Sequence, residues 1–109
     1  MDAFELREVE AIRRESGKLY QEFLRVPELS AGLYVLEAGA TDPQQPHRED
    51  ELYYVVSGQA TITVGDAQRP VGPGSLVFVA AEAAHRFHDI TERLELLVVF
   101  GPAESLPEG

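Results

Sequence analysis

The chain has no cysteine and no tryptophan, one methionine and three histidines among its 109 residues. Without cysteine there is no disulfide framework, no thiolate metal site and no cysteine nucleophile. Basic residues are scarce as well: nine Lys and Arg against nineteen Asp and Glu give a formal charge of −10. That balance excludes nucleic acid and anionic membrane as partners, because phosphate contacts need clustered Lys and Arg. Long apolar runs are also missing, and a membrane helix needs roughly 20 such residues. The N-terminal stretch Met1-Asp2-Ala3-Phe4-Glu5 is acidic where a signal peptide is basic, so a cytoplasmic protein is expected. What remains, at 44% hydrophobic and 26% charged, is the composition of one globular domain.

Periodicity divides that domain. Residues 1–18 read as an N-terminal helical segment, with Leu6, Val9 and Ile12 as an apolar stripe and Gly17 as the stop. Residues 19–101 read as β. Expected strands run from Leu19 to Arg25, Gly32 to Glu37, Leu52 to Val56, Ala60 to Val64, Gln68 to Val71, Ser75 to Val79, Ala84 to Asp89 and Leu94 to Phe100. Glycine- and proline-bearing turns separate them, and no helical pattern intervenes. Such spacing indicates an all-β sandwich or barrel. Residues 102–109 read as a flexible C-terminal tail. Two strands are apolar on both faces, Leu52 to Val56 and Leu94 to Val99. The outside of the sheet therefore needs covering, by the N-terminal segment or by a second subunit, and a homodimer is expected.

The histidines are the scarce chemical resource. In an extended segment Gln45, His47, Glu49 and Glu51 share one face. His85 lies on a later strand with Phe87 on its face, and His88 has the opposite parity and should lie on the exterior. The simplest site uses His47, Glu51 and His85 as ligands. Two imidazoles and one carboxylate suit one divalent transition metal: Fe, Mn, Ni, Zn or Cu. By parity Tyr53 and Val55 continue the face of Glu51, so Tyr53, Val55 and Phe87 are expected to line a small-molecule pocket, with plain core as the alternative for each aromatic.

At these residues the sequence resembles a family. Gly39 through Pro46-His47-Arg48-Glu49-Asp50-Glu51 to Ser57-Gly58 is similar to the first cupin motif: a glycine, a His-x-His pair, a following Glu and a closing Gly. Gly74 through Ala80-Ala81-Glu82-Ala83-Ala84-His85 to Asp89 is similar to the second, and fifteen residues separate the blocks. The resemblance spans about Leu33 to Phe100. It implies a cupin-type double-stranded β-helix, a jelly-roll barrel, with a short N-terminal helix. It also implies a metal set of three His and one Glu. The first His of the pair falls on Gln45, which becomes the implied fourth ligand, with Glu49 the alternative by parity. The Pro and Gly of the second motif are Ala80 and Glu82, and its terminal Asn is Asp89. The family implies dioxygenase, isomerase or lyase chemistry on a small polar metabolite. The alternative is a non-catalytic small-molecule-binding cupin module, with or without metal. The catalytic residues stay unassigned, and so does the question of whether the chain is an enzyme.

Overall fold

The computed structural model describes residues 1–105. One helix, α1 (Leu6–Ser16), precedes six strands: β1 (Tyr20–Val26), β2 (Leu29–Leu36), β3 (Asp50–Val64), β4 (Ala67–Val71), β5 (Leu76–Val79) and β6 (His85–Gly101). All strand pairings are antiparallel, in the order β1-β2-β6-β3-β4, with β5 on the free side of β3. This is the expected all-β barrel with a short N-terminal helix.

Two expected pairs of strands are single long strands. β3 continues through Ser57-Gly58, and β6 continues through Ile90 to Arg93. Their mutual register shifts at Val55/Ser57, Ser57/Gln59 and Gln59/Thr61. Such irregularities bend and twist a strand without ending its pairing, so each long strand serves both halves of the barrel. Gly58 sits inside this bend at φ +100°. A Cβ there would collide with the Arg93 carbonyl and lie 2.7 Å from Leu94 Cα.

Alternation sets the core. Tyr53, Val55, Ile62, Phe87, Leu94, Leu96 and Val98 point inward and are buried. On the outer face of β2, Leu33 and Val35 pack against Val9, Leu6 and Phe23, so α1 and β1 cover that side. Ile12 does not join them and is 55% exposed. A spacing of three falls about 60° short of a full turn at each step, which carries the third stripe residue off the buried face. Glu10 and Arg13 are buried in its stead, and Glu10 pairs with Arg13 at 2.7 Å and with Arg93 of β6 at 2.6 Å. Gly17 ends the helix as expected, in the left-handed conformation.

The outer face of β3 and β5 stays uncovered. Leu52 pairs with Phe78 and Tyr54 with Leu76, and all four are exposed, at 43, 63, 41 and 66%. The expected free tail behaves otherwise as far as Ser105. Ala103 N–H donates to Pro27 O at 3.3 Å and Glu104 N–H to Ser30 Oγ at 2.8 Å. Arg25 donates to Glu104 O at 2.7 Å, and Ser105 Oγ donates to Glu49 at 2.6 Å. A buried hydroxyl and a buried carboxylate thereby gain partners, which is why the segment docks. The remaining tail, 106–109, lies outside the described residues. Among the described residues no helix is long and apolar enough to cross a membrane.

The bend at Gly58 gives a direct test. Gly58→Ala should cost about 2–4 kcal/mol through its positive φ and its backbone collision. Gly65→Ala, at φ +56° with open space around the new methyl, should cost only about 1–2 kcal/mol. Urea unfolding of both variants checks the difference; equal losses would contradict this account of the bend.

Candidate metal centre

Three elements converge at one end of the barrel: the loop before β3, the start of β3 and the start of β6. Glu51 is the second residue of β3, paired with Val79 on one side and Phe100 on the other, and it is 2% exposed. His85 opens β6 and is also buried. His47 lies in the loop and is held there by its backbone, since its carbonyl accepts the Glu82 N–H at 2.6 Å. Asp50 Oδ1 accepts the neighbouring Ala81 N–H at 2.8 Å. These bonds tie the loop carrying His47 to the turn that precedes His85. Glu82, where the resemblance expects Gly, has φ +67°, and Asp89, where it expects Asn, has φ +49°. Both left-handed conformations persist although the glycine has gone, at a local cost of about 1–2 kcal/mol for a non-glycine residue.

The structure brings His47, Glu51 and His85 together, with one ligand atom from each lying within 4.8 Å of the others. Glu51 Oε1 is 3.0 Å from His47 Nδ1 and 2.8 Å from His85 Nε2. Glu51 Oε2 is buried without a hydrogen-bond partner, and the only other such atom among the described residues is Tyr20 Oη.

The remaining expected site residues fall elsewhere. Gln45 is exposed, and its neighbour Gln44 turns inward. Gln44 Oε1 accepts from Tyr53 Oη at 2.7 Å and lies 3.3 Å from His85 Nε2. Alternation cannot be extended through residues 40–49, because Pro43 and Pro46 keep that segment out of the ladder. Asp42 sets its course instead, with Oδ1 accepting Gln44 N–H at 3.2 Å and Oδ2 accepting Gln44 Nε2 at 2.7 Å. The same carboxylate accepts Tyr34 Oη at 2.6 Å and Phe87 N–H at 2.9 Å, locking the loop to β2 and β6. Glu49 is buried but turned to Ser105, outside the three-residue group. His88 is half-buried away from the group, against Thr63 at 2.7 Å and Asp89 at 2.7 Å.

A cavity of about 220 Å³ opens beside His47. Its walls are Leu19 and Tyr20 at the start of β1, Tyr34 of β2, Val98 and Phe100 of β6, and Pro43, Gln44 and Glu104. Val55 and Phe87, expected to line a pocket, are fully buried core instead, and Tyr53 reaches the site only through its hydroxyl. Their inward parity is as expected, but at that level the barrel is packed solid, with the Tyr53 and Phe87 rings edge-to-face at 5.0 Å. Asp42, Gln44, Tyr20, Tyr34 and Glu104 were not singled out in the sequence. Only Asp42-Pro43 carried a signal, as a turn-forming pair.

The electrostatics favour positive charge. Hydrogen bonds to Glu104 and then Glu51 push the His47 imidazole up to about 10, against the loss from burial. For Glu51 burial pushes the carboxyl up, but the hydrogen bonds and charges of His47 and His85 outweigh it and hold the group at about 2. Burial pulls His85 down, and its bonds to Glu51 and the Ala83 carbonyl reverse this and raise it. A carboxylate with one oxygen unpartnered, between two imidazoles, is a donor set that fits a divalent cation.

The architecture is that of a small jelly-roll barrel with a polar cluster at one mouth. Residues 32–100 match the cupin domain family, and the chain belongs to it. An uncharacterised protein of Streptomyces coelicolor is 53% identical over 105 residues, 96% of this chain and 100% of that protein. A Thermus thermophilus structure superposes with a TM-score of 0.73 at 24% identity, covering 94% of this chain and 99% of that one, and shows the shared fold alone. The DMSP lyase of Ruegeria pomeroyi superposes with a TM-score of 0.65 at 26% identity, over 70% of this chain and only 39% of the lyase.

The shifted titrations set the pH dependence of the metal-free protein. His47 is raised from its usual 6.5 to about 10, so its stabilisation is complete below 6.5 and lost as pH rises through 10. Glu51 is lowered from 4.5 to about 2, so its stabilisation is complete above 4.5 and lost as pH falls towards 2. Urea midpoints measured in a chelator should therefore be highest between about pH 4.5 and 6.5. The alkaline decline should flatten in His47→Ala. A wild-type midpoint constant from pH 6 to 10 would contradict the assignment.

Proposed function

We propose that this cupin binds one divalent transition metal through His47, Glu51 and His85 and acts as a metal-dependent enzyme on a small molecule held in the adjoining cavity. The observation that carries the reading is the convergence of three donors on one point, with Glu51 Oε2 left unpartnered beside them. Such an ion, when bound, supplies Lewis-acid polarisation of a substrate oxygen or, if it is iron, the means to activate O₂.

The chain's own residues prepare the rest. Three protein ligands leave coordination positions open, as catalytic sites require. Gln44 Oε1, beside His85 and Tyr53, is a neutral oxygen at the rim of the cluster, in the place foreseen for Gln45. Tyr20 lines the cavity with its ring, while its hydroxyl is buried against Gly32 without a hydrogen-bond partner. Phe100 packs against the His47 ring at a centroid distance of 4.9 Å and, with Val98, keeps that wall apolar. Dioxygenase, isomerase and lyase chemistry all suit this arrangement, and a structural relative, the Ruegeria pomeroyi enzyme, is a lyase.

A second reading, a binding module without turnover, is favoured by one observation. Every carboxylate near the cavity is already engaged: Asp42 with Tyr34, Gln44 and Phe87, Glu49 with Ser105, Glu104 with His47, and Glu51 with both imidazoles. No free general base stands at the site among the described residues.

Elemental analysis and titration with Mn(II), Fe(II), Ni(II) and Zn(II) test the metal. Wild type should take up one ion per chain, more tightly at pH 8 than at pH 6, because the ligands must shed protons. His47→Ala and His85→Ala should each lose it. Stoichiometric metal surviving both substitutions would sink the site. O₂ uptake and turnover of sugars and keto acids then separate enzyme from binding module.

We propose further that a second copy covers the exposed apolar face of β3 and β5, where Leu52, Tyr54, Leu76 and Phe78 form a two-by-two patch. Sedimentation at micromolar concentration should return twice 12.0 kDa, and Phe78→Glu should halve it. A wild-type particle of 12.0 kDa would overturn the dimer.

A further inference from the structure

We propose that Glu104, on the strap that follows β6, is a positioning residue of the metal centre: it holds the outer nitrogen of His47, so that Nδ1 is the nitrogen offered to the ion. The inference rests on the metal reading above. It concerns a residue outside the stretch that matches the cupin family, which ends at residue 100.

The two imidazoles are arranged alike. His85 turns Nε2 to Glu51 Oε1 at 2.8 Å, and its Nδ1 donates to the Ala83 carbonyl at 2.8 Å. His47 turns Nδ1 to Glu51 Oε1 at 3.0 Å, and its Nε2 faces Glu104 Oε2 at 3.2 Å. A ligating imidazole gives one nitrogen to the metal and keeps a proton on the other. An acceptor at that second nitrogen fixes both the tautomer and the ring's orientation. For His85 the acceptor is built into the turn before β6. For His47 it comes from 57 residues further along the chain.

The strap is fastened in a way that suits this task. Glu104 is held by its own backbone on both sides, its N–H on Ser30 Oγ and its carbonyl under Arg25. Ser30 is fully buried, so that anchor is part of the barrel. Ser105, the next residue, is fixed to Glu49. The side chain is therefore delivered to His47 by main-chain contacts that do not depend on its charge. Glu104 also lines the cavity, so the carboxylate that orients His47 borders the same space.

The test measures Zn(II) affinity by calorimetry against a competing chelator. Glu104→Ala should weaken binding about 10–100-fold, the usual effect of removing the partner of a ligating histidine. Glu104→Gln, whose amide oxygen still accepts the Nε2–H, should lose much less. Glu92→Gln, which removes an exposed carboxylate elsewhere, should stay within twofold of wild type. Both Glu104 variants keep the backbone bonds to Ser30 and Arg25, and thermal melting confirms that they fold. In the Zn-loaded wild type, long-range ¹H–¹⁵N spectra should show His47 protonated on Nε2. Glu104→Ala binding within twofold of wild type, or a His47 protonated on Nδ1 with the metal on Nε2, would overturn the proposal while leaving the metal site intact. A wild type that binds Zn(II) no better than His85→Ala would overturn the metal reading and this inference together.

Discussion

A carboxylate buried between two imidazoles organises this molecule's polar end. Glu51 is almost fully enclosed, and an enclosed charge without partners is costly enough that it would sooner take up a proton. His47 and His85 prevent that by standing against the same oxygen. Much of the surrounding architecture serves to keep them there. Asp42 steers the proline-interrupted loop, the Glu82 N–H holds the backbone of His47, and the turn carbonyl of Ala83 holds His85. Even Glu82 keeps a left-handed conformation that a glycine would adopt more cheaply. In the metal-free state the Glu51 charge is offset by its hydrogen bonds to His47 and His85. A divalent cation held by His47, Glu51 and His85 would offset that charge with one atom, and Glu51 has a carboxylate oxygen without a partner.

The parts of this site that are local in sequence were legible there. His47, Glu51 and His85 lie in two recognisable blocks, and strand alternation put Tyr53, Val55 and Phe87 on the inward side. Alternation failed where its premise failed. Residues 40–49 lie outside the strand ladder, so the inward glutamine is Gln44 and not Gln45, and Glu49 answers to Ser105. The strands were placed correctly but divided too often, because Ser57-Gly58 reads as a turn and acts as a bend inside β3. In the helix a three-residue stripe admitted Ile12, whereas the charged Glu10 and Arg13 are the residues buried, because Arg93 reaches across to complete their pairing. No local pattern announces a partner 83 positions away. Glu104 was invisible for the same reason: its surroundings are proline and small residues, and its meaning comes only from what it docks against.

The cupin fold fixes a scaffold and leaves the chemistry to the site. What distinguishes this chain is the composition of that site. Two histidines flank Glu51, the neutral Gln44 Oε1 lies 3.3 Å from His85 Nε2, and a carboxylate from the C-terminal strap faces His47 Nε2. The cavity beside them is lined by three aromatic residues, Tyr20, Tyr34 and Phe100, and one acidic residue, Glu104. The strong negative balance of the whole chain contributes little here: Asp42, Glu49, Asp50, Glu51 and Glu104 turn part of it into site geometry, and most of the other carboxylates face solvent.

The account stands on one claim, that a single metal ion sits among His47, Glu51 and His85. The most direct measurement is an anomalous difference map from a crystal of the Zn-loaded protein, collected above and below the zinc edge. The account predicts one peak per chain, bounded by Nδ1 of His47, Nε2 of His85 and the carboxylate of Glu51. A map with no peak there, or with its only peak on surface carboxylates, would contradict it.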